Sequence, residues 1–218
     1  MNIVLLGPPG AGKGTQARRL QATMGIPHIA TGDLFRSLAA EDNGLGREVR
    51  AYMNKGEYVP DDVTIRVGLD RLRAPDTENG CLLDGFPRTV AQATALTSAL
   101  GRLGQRVDLA LYITAPEELL VRRLSGRIVC HHCNAIYNNA TRPPQQDMSC
   151  DACGHELERR EDERAEVVRT RLRTHEERTS PVAEYYRERG TLVEIHGART
   201  IEVVEQEVDG AVGLRGVR

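Results

Sequence analysis

Tryptophan is absent, phenylalanine occurs twice, and lysine occurs only at positions 13 and 55, so nearly all of the 29 basic residues are arginine. So few aromatic rings leave few platforms for stacking nucleic-acid bases. Excess charge of either sign is also missing: the formal balance is −2 with both signs interspersed, which gives no basic field to draw the chain to a polyanion or an anionic membrane. The N-terminal apolar run Asn2 to Leu6 is too short to be the hydrophobic region of a secretion signal. These absences predict a soluble cytoplasmic protein without nucleic-acid or membrane partners. A length of 218 residues suffices for one well-buried core with inserted lobes.

What is present is concentrated first in Gly7 to Thr15, GPPGAGKGT, directly after that apolar run. Glycines at 7, 10, 12 and 14 allow a tight curl in which successive N–H groups point inward at the start of the following helix, which is a cradle for phosphate. Lys13 completes the Gly-x4-Gly-Lys spacing of a P-loop, and it is one of only two lysines in an arginine-rich chain, so a chance match is disfavoured. Gly14 stands where Ser or Thr normally holds magnesium.

The second concentration is of cysteine. Four of the five form two C-x2-C pairs, Cys130/Cys133 and Cys150/Cys153, with 16 residues between them. That spacing predicts a closed, structural tetrathiolate zinc site rather than a disulfide framework. His131, His132 and His155 are alternative ligands, read as spectators beside four well-spaced thiolates. Cys81 lies in a short apolar run and is read as a small buried hydrophobe.

Between these landmarks, apolar runs at Asn2 to Leu6, Ile26 to Ala30, Cys81 to Asp84, Leu109 to Ile113 and Leu192 to Ile195 read as strands, the first of them a buried parallel one, alternating with helical stretches. The first helix is read from Lys13 to Met24, with Ala17 and Leu20 facing the sheet and Gly25 closing it; a last one covers about Ile201 to Val208. This predicts an α/β fold with a five-stranded parallel sheet whose ligands sit at the strands' carboxyl ends. The core is assigned to residues 1–30, 60–125 and 164–218, with a small helical lobe at 31–59 and a metal-stapled lobe at 126–163. In the charged stretch Arg164 to Arg189, Val167, Val168 and Leu172 are read as a buried stripe. Asp33 reads either as a helix N-cap or as a magnesium-water carrier, and Asp84 either as a turn former or as the acid that manages magnesium beside a P-loop. Asn54-Lys55-Gly56-Glu57 is similar to the guanine-reading N-K-x-D, but it ends in Glu and lies between helices, so it is read as coincidence.

Six blocks in order, GPPGAGKGT at Gly7, TGDLFR at Thr31, LLDGFPRT at Leu82, GR at Gly126, the paired C-x2-C from Cys130 and R-x-D at Arg160, resemble the long, zinc-bearing adenylate kinases from end to end. The resemblance implies a monomer that transfers a phosphoryl group between MgATP and AMP to give two ADP. Carried over, Gly10, Ala11, Gly12, Lys13, Gly14 and Thr15 form the ATP phosphate loop, with Lys13 the electrostatic catalyst. Thr31, Arg36, Glu57, Tyr58, Val59, Gly85, Phe86, Pro87, Arg88 and Gln92 form the AMP site, Arg36 and Arg88 holding its phosphate and Gln92 reading the adenine edge. Arg88, Arg123, Arg127, Arg160 and Arg171 surround the transferring group, Arg160 and Arg171 also touching AMP. Ile136, Tyr137 and Arg199 contact the ATP base, and Asp33 and Asp84 carry magnesium-bound water. The Phe86-Pro87 peptide is implied to be cis.

Arg123 and Arg171 rest on alignment alone and have the alternative reading of solvated helix charges. The chain departs from the family pattern at Ile128, Arg142 and Glu163, all in or beside the implied lid. Two alternatives remain at this level: a UMP- or CMP-type kinase on the same core, and a zinc-ribbon nucleic-acid-binding ATPase. Thr31, Gln92 and the zinc lid favour AMP over the first; the charge and the missing aromatics weigh against the second.

Overall fold

A computed structural model of the chain describes residues 1–133, 135–139, 142–159 and 165–216. The strands are β1 (Asn2–Leu6), β2 (His28–Ala30), β3 (Cys81–Asp84), β4 (Leu109–Thr114), β5 (Arg127–Cys130), β6 (Ile136–Asn138), β7 (Leu157–Glu158) and β8 (Leu192–His196). The helices are α1 (Lys13–Met24), α2 (Thr31–Ala40), α3 (Gly44–Lys55), α4 (Asp61–Arg71), α5 (Val90–Arg102), α6 (Glu117–Ser125), α7 (Ala165–Arg178), α8 (Ser180–Arg187) and α9 (Ile201–Gly216).

Five strands form one parallel sheet in the order β2-β3-β1-β4-β8. β1 is buried along its whole length, as a central parallel strand covered on both faces must be. Its side chains alternate between two cores. Ile3 and Leu5 pack with Leu109, Leu111 and Ile113 of β4 against Ala17 and Leu20 of α1, Leu120 and Leu124 of α6, and Val204 and Val208 of α9. Val4 and Leu6 pack with Leu83 against Phe86, Ala93, Leu96 and Leu100 and against Val182 and Tyr186 of α8. At about 1.5–3 kcal/mol for each fully buried large apolar side chain, these two layers are the main source of stability.

The chain leaves β1 towards β2 on one side and leaves β4 towards β8 on the other, so the sheet's direction reverses beside β1. That is where an open α/β sheet opens a crevice at its strand ends. Two further units flank it. α2 and α3 share a small core with the start of α4, made of Phe35, Val49, Val59 and Val63. β5, β6 and β7 make an antiparallel sheet in the order β6-β5-β7, whose buried core among the described residues is Ile128, Cys130, Tyr137, Cys150 and Leu157. Five side chains are too few to hold such a lobe without a staple.

Four readings of the sequence change here. The second strand starts at His28 rather than Ile26. Asp33 is not an N-cap: α2 begins at Thr31 after Ala30, and Asp33 lies in its first turn paired with Arg36. Val167 is only half-buried, whereas Val168 and Leu172 are buried. The last helix runs past Val208 to Gly216, because Val208 and Ala211 continue the buried stripe. Among the described residues, no helix is long and apolar enough to cross a membrane.

Candidate active site

The loop after β1 is shaped by its glycines. Gly7 has φ +134°, and a Cβ there would lie 2.1 Å from the Ile113 carbonyl oxygen of β4, so no other residue fits without moving the strand. The turn closes with Ala11 N–H donating to Pro8 O at 3.2 Å, and α1 starts at Lys13 with no side-chain cap. Its first N–H groups are therefore offered to whatever sits in the loop. Lys13 bends back over the same loop, its Nζ donating to Gly7 O at 2.8 Å and Pro8 O at 2.9 Å.

A cavity of about 480 Å³ opens above this loop. Its walls include residues 10 to 15 of the loop, Asp33, Arg36, Tyr58, Asp84, Gly85, Pro87, Arg88, Arg123, Arg127, Ile136, Tyr137, Arg171 and Arg199. A smaller hollow of about 60 Å³ adjoins it and is walled by Glu57, Val59 and Gln92, sharing Arg36, Tyr58, Gly85, Arg88 and Arg171 with the larger one. Two of the predicted residues are not in these walls. Thr31 is buried, its Oγ1 donating to Asp84 O at 3.3 Å, and Phe86 is fully buried in the core behind a cis Phe86-Pro87 peptide. Arg160 lies outside the described residues, as does the 161–163 part of its motif.

The electrostatics of the cavity are those of a site built for anions. Burial pushes the Lys13 ammonium from the ordinary 10.5 down to about 8, against the pull of Asp84 and with the push of Arg88, Arg171 and Arg127. For Asp84, burial favours the neutral acid, but His28 Nε2 at 3.5 Å and Lys13 outweigh it and hold the carboxyl below its usual range. Arg123 is not a solvated helix charge. Its guanidinium donates to Gly197 O at 3.0 Å and to Gly10 O at 3.5 Å, tying α6 to the phosphate loop and to the turn after β8. Arg171 lines both cavities. Arg199 stands at the wall paired with Glu207.

Gln92, expected to read an adenine edge, has its amide oriented by the protein. Its Oε1 accepts from Arg88 N–H at 2.7 Å and its Nε2 donates to Asp61 Oδ1 at 2.8 Å. The sequence reading missed Arg18, His28, His175 and Thr179, which also line the larger cavity, as does Arg142, read from the sequence only as a departure from the family pattern. Arg18 could have been found by counting one helical turn from Gly14. His175 gave no signal: it comes from a charged helix, and burial, with Lys13 and Arg88, pushes it down to about 3, so it is a neutral ring at ordinary pH.

The second site is a cluster of thiols. Cys130 and Cys153 sulfurs are 3.4 Å apart, Cys133 and Cys150 3.5 Å, and Cys133 and Cys153 3.4 Å, too long for disulfides. A tetrahedron with Zn–S bonds of about 2.3 Å has edges of about 3.8 Å, and all four sulfurs lie within 4.8 Å of one another, so the cluster fits zinc. His132 and His155 approach Cys153, but their rings stack in parallel at 3.8 Å, so their lone pairs run side by side and do not converge on an ion. Cys81 is buried with its thiol pushed up to about 12, the behaviour of an inert core residue.

Comparison with known proteins agrees with this arrangement. The family profile described as adenylate kinase matches residues 5–191. An adenylate kinase of Kosmotoga olearia is 49% identical over 208 residues, covering 95% of this chain and 97% of the relative. One from Moorella thermoacetica is 48% identical over 213 residues, 98% of each. One from Archaeoglobus fulgidus is 46% identical over 209 residues, 96% of each. With a phosphate loop, converging arginines and a match along nearly its whole length, this chain belongs to the adenylate kinase family.

Proposed function

We propose that the chain transfers a phosphoryl group reversibly from MgATP to AMP, giving two ADP, and so keeps the adenine nucleotides in balance. The observation that carries this reading is one continuous cavity lined at once by a phosphate loop, by core arginines 88, 123 and 171, and by Arg127 of the small antiparallel sheet. Two nucleotides bring about six negative charges together. Arginine forks and Lys13 offset them, and phosphoryl transfer asks for little besides such positioning and neutralisation. The acceptor is a phosphate oxygen already ionised at neutral pH, so no general base is required.

In this reading the loop from Gly10 to Thr15 binds the ATP phosphates and Lys13 follows the transferring group. Arg36 and Arg88 hold the AMP phosphate in the region where the two cavities join, and Gln92 faces the AMP base in the smaller one. Ile136, Tyr137 and Arg199 contact the ATP base. Magnesium, which the family implies with ATP, neutralises phosphate charge when bound; Asp84 and Asp33 would carry its water. Zinc held by Cys130, Cys133, Cys150 and Cys153 has no open position and would act as a structural staple.

The lobes 31–59 and 126–163 are read as closing over AMP and over ATP respectively, which keeps water from the reactive phosphate. Fluorescence transfer between labels on the two lobes should rise with a bisubstrate analogue; equal distances with and without it would sink the closure. Residence in the cytoplasm as a monomer completes the proposal. The deciding experiment is phosphorus NMR of the purified protein with MgATP and, in separate tubes, AMP, CMP, UMP and GMP. Rapid ADP formation with AMP alone is expected. Preference for another monophosphate would overturn the AMP-site assignment, and simple ATP hydrolysis would overturn the reaction.

A further inference from the structure

Arg88 is held from both sides of its backbone by side chains of other elements. Its N–H donates to Gln92 Oε1 at 2.7 Å, and its carbonyl accepts from Thr179 Oγ1 at 3.0 Å. Its own Nε donates to Gly85 O at 2.8 Å. The Gln92 arm is anchored by Asp61, which also accepts from Thr89 Oγ1 at 2.9 Å. The Thr179 arm is anchored elsewhere: Thr179 Oγ1 lies 2.8 Å from Tyr58 Oη. A hydroxyl has one proton, and that of Thr179 is used on Arg88 O, so Tyr58 is the donor in this second bond.

Tyr58 lies in the loop between α3 and α4, where the small helical unit rejoins the core. Its ring also carries cations, with the guanidinium of Arg88 4.9 Å and that of Arg178 5.7 Å from its centre. Thr179 is 3% exposed and sits at the junction of α7 and α8. One hydroxyl thus joins three parts of the chain: the edge of the helical lobe, the loop that presents Arg88, and the α7–α8 junction. A change of angle at Tyr58 is transmitted through two hydrogen bonds to the peptide that carries Arg88.

We propose that Thr179 is a positioning residue for the acceptor nucleotide, its hydroxyl linking Tyr58 to the Arg88 peptide and so fixing where the Arg88 guanidinium meets the monophosphate. This rests on the reading of Arg88 as an AMP-phosphate ligand. Loss of the hydroxyl leaves the part-buried Arg88 carbonyl without this donor and loosens its peptide, while the bonds that shape the phosphate loop do not involve Thr179.

The test is calorimetric binding of AMP and of ATP, with steady-state kinetics, on wild type, T179V, T179S and Y58F. T179V should bind AMP about tenfold more weakly and raise its KM to match, a change in the range of one buried hydrogen bond. ATP affinity should stay within twofold, and T179S should restore AMP binding. Y58F keeps the ring but loses the donor; it should weaken AMP about threefold, and Y58F/T179V should be no weaker than T179V alone. Unchanged AMP affinity in T179V, a parallel loss for ATP, or additive effects in the double variant would each overturn the link. If T179V does not fold, Y58F with wild-type AMP affinity overturns it alone. A wild type that binds AMP but forms no ADP would refute the proposed reaction and leave the binding contrast to decide the link; a wild type that does not bind AMP would refute both.

Discussion

Lys13 sits in a place that opposes its own charge, and the cost can be worked out. Burial among arginines lowers its pKa from the ordinary 10.5 to about 8, a drop of about 2.5. At about 1.36 kcal/mol for each whole pH step, the protonated lysine disfavours the folded state by up to about 3 kcal/mol. The side chain is half-buried beside an open cavity, so screening reduces this to about 1–3 kcal/mol. K13M removes this cost together with the two Nζ hydrogen bonds to Gly7 O and Pro8 O, so it should raise the unfolding free energy of the nucleotide-free protein at pH 7 by at most that amount, while abolishing phosphoryl transfer.

The pH dependence has a definite sign. Below about pH 8 Lys13 is protonated in both states and the full cost is present. Between about 8 and 10.5 the folded chain has lost this proton and the unfolded chain still binds it, so folding is favoured progressively as pH rises. The stability of K13M relative to wild type should be constant up to about pH 8 and fall by about 1–3 kcal/mol between about 8 and 10.5. Urea unfolding of both proteins across this range measures it, and taking the difference cancels the cysteines and tyrosines that titrate in the same window. A difference between K13M and wild type that does not shift against K13M as pH rises from about 8 to 10.5 would refute the argument.

Three further outcomes follow from the same structure. Removing metal with a chelator should lower the melting temperature by more than about 5 °C, at about 2–4 °C per kcal/mol for a chain of this size; an unchanged melt of verified metal-free protein would count against the staple. Gly85→Ala puts a Cβ 2.7 Å from Thr31 Oγ1 and 2.9 Å from Arg88 Nη2 at φ +81°, so AMP affinity should fall at least about tenfold with ATP affinity preserved, as titration calorimetry would show. Leu111→Ala empties a fully buried position of β4 and should cost about 2–5 kcal/mol in urea unfolding.

The strands of the parallel sheet were legible because they are short apolar runs bounded by glycine, proline or acid, whereas β5, β6 and β7, short and with few apolar residues, left no such pattern. β1 and β3 lie where the sequence puts them for that reason. The P-loop and the paired cysteines were legible because their chemistry fixes spacing along the chain. Arg123 and Arg171 were ambiguous because, in a chain whose default cation is arginine, a charge on a helix says nothing of its direction. Only the fold shows Arg123 bonded to Gly197 and Gly10, residues 74 and 113 positions away.

The same limit explains Thr179 and His175. A threonine after a charged helix is an ordinary helix end, and nothing local marks it as the partner of Arg88, 91 positions earlier. The asymmetry has a physical basis. Groups that touch phosphate are constrained by the ligand's shape and recur in compact motifs. Groups that hold those residues in place need only be within about 3 Å in space, and they can come from any element the sheet order brings near. In this chain the loop from Gly85 to Arg88 is a motif, whereas its supports come from α4, α5 and the α7–α8 junction.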